Sequence, residues 1–275
     1  MLWVALAFTP ILYGIGDYFA GNLATRVRPI AIVGFTSAVS FLFAFAWAYF
    51  AGDLVWETGP ILRGMASGAF YLLANCLFYI ALSLGKSGVV GAIISLSVVP
   101  AVISDSIRGD LPSPLQLLGI VGILVGVTFV SVPEVSKNVS KAAVLIALAA
   151  AMVLGIQYTV LGRASTENSD VAIMMQYLTA FAIVAVLGLS RRTMGGVNRE
   201  ESPRLLFLGL TFGFAGILLS TALSGINVAV VTAVLNCEPI VLAALGFLLA
   251  KQRLSRLQTG ALGVVILGVV LATAG

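Results

Sequence analysis

One carboxylic acid stands inside an almost wholly aliphatic stretch of the sequence. The run VLNCEPIVLAALG (234–246) contains Glu238, and Pro239 follows it directly. An acid at the centre of a membrane helix costs roughly 2.5–3.5 kcal/mol on insertion scales, so such acids are rare and commonly functional. The residues three and four positions away on both sides are aliphatic, which favours the neutral acid. A carboxyl that can change its protonation state suits proton-coupled transport. The alternative is a protonated side chain that joins two helices and never titrates.

Two prolines predict breaks in apolar helices. Pro239 cannot donate a backbone hydrogen bond and clashes with the carbonyl four residues earlier, and Pro100 has the same effect in another apolar segment. Broken helices are tolerated in membranes where their backbone lines a cavity, although a kink that only serves packing is the alternative. Asn236 lies about 200° around a helix from Glu238. Both can therefore face one cavity only if the proline distorts the turn between them.

A second polar group recurs every four residues along one apolar segment. It consists of Ser67, Tyr71, Asn75 and Tyr79. Residues four apart share a helix face, and an unpaired amide in the middle of a membrane is expensive. This face could hold an amphipathic solute, with Asn75 at its polar end. Contact between helices, together with tyrosines at the membrane interface, explains the pattern equally well.

Further candidates for solute contact lie in the first and sixth apolar segments. Tyr13 and Asp17 are four residues apart, and Asp17 lies either within the membrane or close to the headgroups. Gln157 and Tyr158 are the polar pair of the sixth segment. Weaker candidates are Gln176, Tyr177, Ser220 and Thr221.

The composition decides which solvent these residues meet. Sixty per cent of the 275 residues are apolar and 9% are charged, whereas soluble domains carry about 25% charged residues. Lipid must therefore be the solvent. There is no histidine, and Cys76 and Cys237 lack metal or redox spacing, which argues against a metal site or a disulfide framework. We expect no cofactor and no nucleic-acid partner, because the sequence has neither a phosphate-binding loop nor a basic stripe.

Ten apolar segments, each near the ~20 residues that cross a bilayer, are separated by short polar breaks. They cover roughly 3–22, 30–51, 61–84, 87–107, 114–132, 141–163, 170–190, 204–224, 227–249 and 256–274. The predicted fold class is an all-α membrane protein of about ten transmembrane helices, arranged as two inverted five-helix repeats. The repeats are placed at 1–133 and 141–275, with a connecting loop at 134–140.

The repeat is visible in three ordered matches. Residues 12–26 match 154–168 with Gly14 opposite Gly155, 141 positions on. Residues 81–100 match 222–239, so that Pro100 lies opposite Pro239, and 114–127 match 256–269. Five spans are an odd number, so the second copy must insert upside down. Inverted repeats are typical of secondary transporters, whose site lies at the bilayer midplane between the halves.

These residues also resemble a known family. The runs FYIALSLGKSGVVGAIISLSVVP (78–100), LPSPLQLLGIVGILVGV (111–127) and CEPIVLAALGFLLAKQRLSRLQTGALGVVILGVV (237–270) are similar to the EamA-type family of the drug/metabolite transporter superfamily. LYGIGDYFAGNLATRVRPIAIV (12–33) resembles a branch of it with a Gly-Asp-Phe-like motif. The resemblance implies a ten-helix carrier of small metabolites, often amino acids or related solutes, usually moved outward. Members of this family commonly carry Gly-Glu after helices four and nine. In this sequence an acid, Asp110, is present after helix four, whereas Gln252 replaces the acid after helix nine.

The loop charges indicate an orientation. Twelve of the 15 Lys and Arg residues fall after odd-numbered segments, and Arg63, Arg108 and Arg163 fall on the other side. The positive-inside rule then places both termini outside the cytoplasm. The resembled carriers are generally described with both termini inside.

The sequence thus predicts an integral, multi-pass protein of a prokaryotic inner membrane, a monomer or homodimer. We expect it to export a small metabolite by alternating access, with protons as a candidate coupling ion. A passive channel or lipid scramblase on the same scaffold is the alternative, although the polar residues form isolated spots rather than a continuous stripe. An intramembrane enzyme is disfavoured by the lack of histidine, of a Ser/Lys or Asp dyad and of a cofactor motif.

Overall fold

The computed structural model describes residues 1–51, 54–84, 87–131, 140–191, 199–238, 240–241, 245 and 256–274. Within these ranges the regular structure is entirely helical. The helices are α1 Leu2–Leu23, α2 Pro29–Ala51, α3 Thr58–Leu84, α4 Ser87–Ile94, a 3₁₀ turn Ser95–Ser97, α5 Val98–Arg108, α6 Pro114–Ser131, α7 Lys141–Arg191, α8 Ser202–Leu223, α9 Val228–Leu235 and α10 Arg256–Ala274.

Among the described residues, six helical stretches are long and apolar enough to cross a membrane. They are Leu2–Leu23, Pro29–Ala51, Thr58–Leu84, Val89–Arg108, Lys141–Gly188 and Ser202–Leu223, and shorter apolar helices cover Pro114–Phe129 and Gly260–Ala274. Large apolar side chains lie on the outside of the bundle, including Leu42, Phe50 and Ile107, which are 64–85% exposed. An apolar exterior of this kind suits lipid rather than water. The chain is an integral, multi-pass membrane protein.

The break predicted at 163–170 between the sixth and seventh apolar segments is present but is shorter than expected. Helical geometry continues through Arg163 and is interrupted within the predicted break at Asn168 (φ −156°, ψ 105°). The Asn168 side chain accepts a hydrogen bond from the backbone N–H of Val171 (2.9 Å), as a helix N-cap residue does. One capping residue thus replaces a loop and divides α7 into an N-terminal arm, 141–167, and a C-terminal arm, 169–191.

The fourth span is irregular just before Pro100. The chain tightens from α4 into the 3₁₀ turn Ser95–Ser97 and then continues as α5. Pro100 offers no N–H to the carbonyl of Leu96, which lies inside that turn. In the ninth segment α9 ends at Leu235, and Asn236 follows with φ −65° and ψ 0°. Pro239 lies outside the described residues.

Glycines let pairs of helices approach closely. A Cβ on Gly64 would lie 2.7 Å from the carbonyl oxygen of Ala172, so α3 packs directly on the C-terminal arm of α7. A Cβ on Gly213 would lie 3.1 Å from Ser40 Cα, which sets α8 against α2. Small residues at such contacts are the usual device of membrane helix packing. They hold the scaffold around the cavity described next.

Candidate functional site

Polar side chains from both halves of the chain converge on one internal cavity. Its lining comprises Tyr13, Asp17, Tyr71, Ala74, Asn75, Phe78, Ile94, Leu154, Gln157, Tyr158, Gln176, Leu219, Leu235, Asn236 and Glu238. Eight of the nine candidate substrate-binding residues are therefore brought together. The ninth, Tyr79, lies behind the wall and is hydrogen-bonded to Asp17.

Two carboxylic acids face each other in this cavity. The side chains of Asp17 in α1 and Glu238 lie within hydrogen-bonding reach of each other. An ionised carboxyl can only accept hydrogen bonds, so a hydrogen bond between the two requires a proton on one of them. Asp17 is 9% exposed and also accepts a hydrogen bond from the Tyr79 hydroxyl (3.1 Å). A second acid from another helix therefore lies beside Glu238, in addition to the aliphatic neighbours along its own segment.

The closeness of the two acids depends on a glycine in α1. A Cβ on Gly14 would lie 2.6 Å from Val241 Cβ and 3.2 Å from the carbonyl oxygen of Glu238. Only a residue without a side chain allows α1 to lie this close to the ninth segment. Asp17, about one helical turn further along α1, then reaches Glu238.

Asn236 connects the irregular turns of the fourth and ninth segments. Its Nδ2 donates to the carbonyl oxygen of Ser95 (2.7 Å), and Ser97 Oγ donates to its Oδ1 (3.3 Å). A carbonyl inside a 3₁₀ turn needs such a partner when it is buried. Asn236 therefore lines the cavity and also joins the two halves.

Two glutamines contribute a further polar part of the cavity wall. Gln157 Nε2 and Ser67 Oγ both donate hydrogen bonds to Gln176 Oε1, and the donor–acceptor distance is 2.7 Å in each. Gln157 Oε1 and Gln176 Nε2 have no partner among the described residues, although both side chains are only 1% exposed. Because unpaired buried polar atoms are costly, each needs an explanation.

Aromatic rings form the remaining walls. Tyr13 stacks on Phe212 with ring centroids 6.0 Å apart, and Tyr71 meets Tyr177 edge to face at 5.6 Å. The Tyr177 hydroxyl donates to the carbonyl oxygen of Phe212 (2.7 Å), which fixes its ring. Rings held in this way offer flat apolar surfaces next to polar groups.

The remaining candidates are placed as follows. Asn75 is half-buried in the lining and donates to the carbonyl oxygen of Tyr71, one turn earlier in α3 (2.8 Å). Ser220 hydrogen-bonds Ser165 and Thr221 bonds its own helix, and neither lines the cavity.

Sequence reasoning missed the apolar wall residues Phe78, Leu154 and Leu219. An apolar residue in an apolar span carries no signal of which face it uses.

Comparisons with known proteins agree with this architecture. A family model, "EamA-like transporter family", matches residues 1–132 and 141–274. One solved structure, titled only "Crystal structure of protein", has a TM-score of 0.80 at 17% identity and covers 98% of this chain and 96% of its own. At that identity the likeness concerns the fold alone. No curated protein matches the chain.

The family match spans nearly the whole sequence in two consecutive copies. Members of this family are transporters rather than enzymes. The chain belongs to the EamA-like transporter family, within the drug/metabolite transporter superfamily.

Proposed function

We propose that the protein is a secondary-active transporter that exports a small amphipathic metabolite by alternating access around the cavity. One observation carries this proposal: polar residues from two family copies meet at a single buried cavity with a paired acid. Transporter sites typically lie between structural repeats, at broken helices. The setting is the inner membrane of a prokaryotic cell.

Contacts across the cavity support an inverted repeat. Ser97 and Asn236 are 139 positions apart, the same spacing as Pro100 and Pro239, and their side chains are hydrogen-bonded. Equivalent residues of two repeats can touch each other only near the axis that relates the repeats. We infer that this axis passes close to the irregular turns of the fourth and ninth segments.

The helix contacts follow the same symmetry. Gly14 packs against the ninth segment at Glu238, while Gly155 packs against the fourth at Ser97 and Pro100. α6 and α10, the fifth segments of the two halves, pack antiparallel, since Gly119 contacts Ala272 and Gly126 contacts Val265. Antiparallel packing of equivalent helices supports ten spans in two inverted halves, 1–133 and 141–275, joined at 134–140.

The acid pair supports protons as the coupling ion. A pair that holds one proton can release it when a second charged species arrives, and can regain it afterwards. A passive channel or scramblase does not need such a pair, because it has no coupling to perform.

The coupling is tested by Glu238→Gln. Glutamine keeps the size and hydrogen-bonding capacity but cannot change charge, so we expect pH-driven uptake into inverted vesicles to be lost. Exchange of unlabelled for labelled solute remains measurable, since it requires no net proton movement. Glu57→Gln, which alters an exposed acid, serves as the matched control. An unchanged response to the pH gradient in Glu238→Gln would show that the pair does not couple transport.

A further inference from the structure

We propose that the cavity selects a small organic cation, a protonated amine that also carries a hydroxyl or amide group. The amine takes the place of the proton shared by Asp17 and Glu238. This inference rests on the proposed transport function and names the class of substrate.

The charge inventory of the cavity favours an amine. Its described lining contains two acids and no Lys or Arg, and the chain has no histidine. The carboxylate of a zwitterionic amino acid, or of an organic anion, would be buried there without a cationic partner, which is strongly unfavourable. An ammonium group would instead receive charge-assisted hydrogen bonds from both carboxyls.

The two glutamines supply an independent indication of a ligand. Gln157 Oε1 and Gln176 Nε2 line the same cavity, are buried and lack partners among the described residues. Exchanging the O and N positions of both amides still leaves one acceptor and one donor unpaired. A hydroxyl or an amide can satisfy both, because each donates one hydrogen bond and accepts another.

The rings determine what kind of amine fits. Tyr13, Tyr71 and Tyr158 line the same cavity as the acids and the glutamines. Aromatic faces attract cations and also pack against apolar groups. The geometry points to an ammonium at the acids, an apolar middle against the tyrosines and a polar end at Gln157 and Gln176.

The exchange balances in protons and charge. Without substrate the pair holds one proton and carries a charge of −1. When R–NH₃⁺ binds, the shared proton leaves to water and both carboxylates are ionised, so that their charge of −2 and the +1 of the amine again sum to −1. One amine therefore exchanges for one proton, and the transport cycle moves no net charge.

Several titratable groups face the acid pair, and none replaces it in this exchange. They are Tyr13 in α1, Tyr71 and Tyr79 in α3 and Tyr158 in α7, with Cys76 beyond Tyr71. Unperturbed phenols and thiols are neutral at pH 7. The described residues place no Lys or Arg against the pair. Proton release on binding should therefore come from Asp17 and Glu238 alone.

The test uses three solutes with one shared ring. Tyramine is a cation, tyrosine a zwitterion and 4-hydroxyphenylacetate an anion. Ethanolamine provides a smaller hydroxylated amine. Each is added to purified protein in weakly buffered detergent at pH 7, with thermal stability and proton release both recorded. We expect tyramine or ethanolamine to stabilise the protein and to release about one proton per molecule bound, and neither tyrosine nor 4-hydroxyphenylacetate to do so.

Variants separate the chemistry from folding. The double variant Asp17→Asn with Glu238→Gln removes both carboxyls and should lose proton release, while Glu57→Gln should keep it. Tyr79→Phe retains both acids and should still release a proton, with amine binding weakened several-fold, because a hydrogen bond to the pair is lost. It therefore remains informative if the double variant fails to fold.

The outcomes distinguish this inference from the transport proposal. Stabilisation by tyrosine or 4-hydroxyphenylacetate but not by either amine, or amine binding without proton release, would overturn the inference. If the amine inference were overturned in this way, exchange of any of the four solutes in proteoliposomes would still support the transport function. Amine binding with proton release but without exchange in proteoliposomes would keep the binding site and overturn the transport function instead.

Discussion

At the scale of single residues, the structure changes the meaning of Glu238. The sequence shows an acid among aliphatic neighbours, whereas its carboxyl meets Asp17, which is more than 200 positions earlier in the chain. A lone buried acid can remain protonated as a neutral hydrogen-bonding group. Two acids in contact compete for one proton, because the second ionisation is opposed by the charge of the first.

Asn75 offers a test at the same scale. Its side chain is half-buried in the cavity wall and, among the described residues, donates only to its own helix, so its carbonyl oxygen can meet a solute. We expect Asn75→Ala to weaken solute binding by roughly threefold to tenfold, the value of one neutral hydrogen bond. Binding would be measured with purified protein at matched amounts.

Asn22→Ala is the matched control for this substitution. Asn22 makes the same bond to the carbonyl four residues earlier (2.9 Å) but is exposed and lies outside the cavity. Its binding should equal that of the parent protein. If Asn75→Ala binds normally but accumulates poorly in the membrane, Asn75 serves packing rather than recognition.

At the scale of helices, close packing depends on glycines that the repeat treats unequally. Gly119 in α6 lies opposite Gly260 in α10, 141 positions on. A Cβ on Gly119 would lie 2.6 Å from the carbonyl oxygen of Gly268 and 2.8 Å from Ala272 Cα, whereas one on the exposed Gly260 meets no described atom within 4 Å. Equivalent positions in the two halves therefore have different structural roles.

Gly119→Ala and Gly260→Ala form a matched pair of substitutions. We expect Gly119→Ala to destabilise the protein by about 1–3 kcal/mol, because the added methyl group meets backbone atoms that cannot move aside easily. Gly260→Ala should be neutral or stabilise by up to about 1 kcal/mol through helix propensity. Thermal unfolding in detergent measures both. Equal stability of the two variants would contradict the observed packing of α6 on α10.

At the scale of the whole molecule, the charged residues divide between two ends. Leu2 packs against Gly225, and Asn227 donates to the carbonyl oxygen of Asp110, so the N-terminus lies at the same end as these turns. Arg63, near the start of α3, forms an ion pair with Glu167, at the end of the N-terminal arm of α7, on this side of the predicted topology. Arg26 and Arg204 instead line a common cleft at the far end of α1. This arrangement agrees with the split of twelve cations against three.

The charge split predicts both termini outside the cytoplasm. Cationic loops are retained on the cytoplasmic side, and the side holding the termini has only Arg63, Arg108 and Arg163. A C-terminal alkaline phosphatase fusion should therefore be active, and a C-terminal green fluorescent protein fusion dark. The reverse result would give this chain the orientation described for the resembled carriers. Moving the reporter into the 110–114 loop should report the same side as the C-terminus.

The sequence by itself determined that lipid surrounds the protein, that the fold is all-α, which family the chain belongs to, and which residues form most of the cavity wall. These follow from composition, from the length of apolar runs and from polar residues that are expensive in lipid. Such signals are local, so they identify which residues are unusual without showing what each one touches. The break at 163–170 was predicted in the right place but not in its length, because Asn168 alone makes the turn by capping the following arm.

Only the tertiary structure decided that Asp17 faces Glu238, that Asn236 joins the two irregular turns, and that Gln157 and Gln176 each keep an unpaired atom. The contacts of Asp17 with Glu238 and of Asn236 with Ser95 link segments far apart in sequence. Their closeness depends on glycines such as Gly14 and Gly155, which bring backbones together. Periodicity along one helix can place a residue on a face, but the partner of that face is set by how whole helices pack.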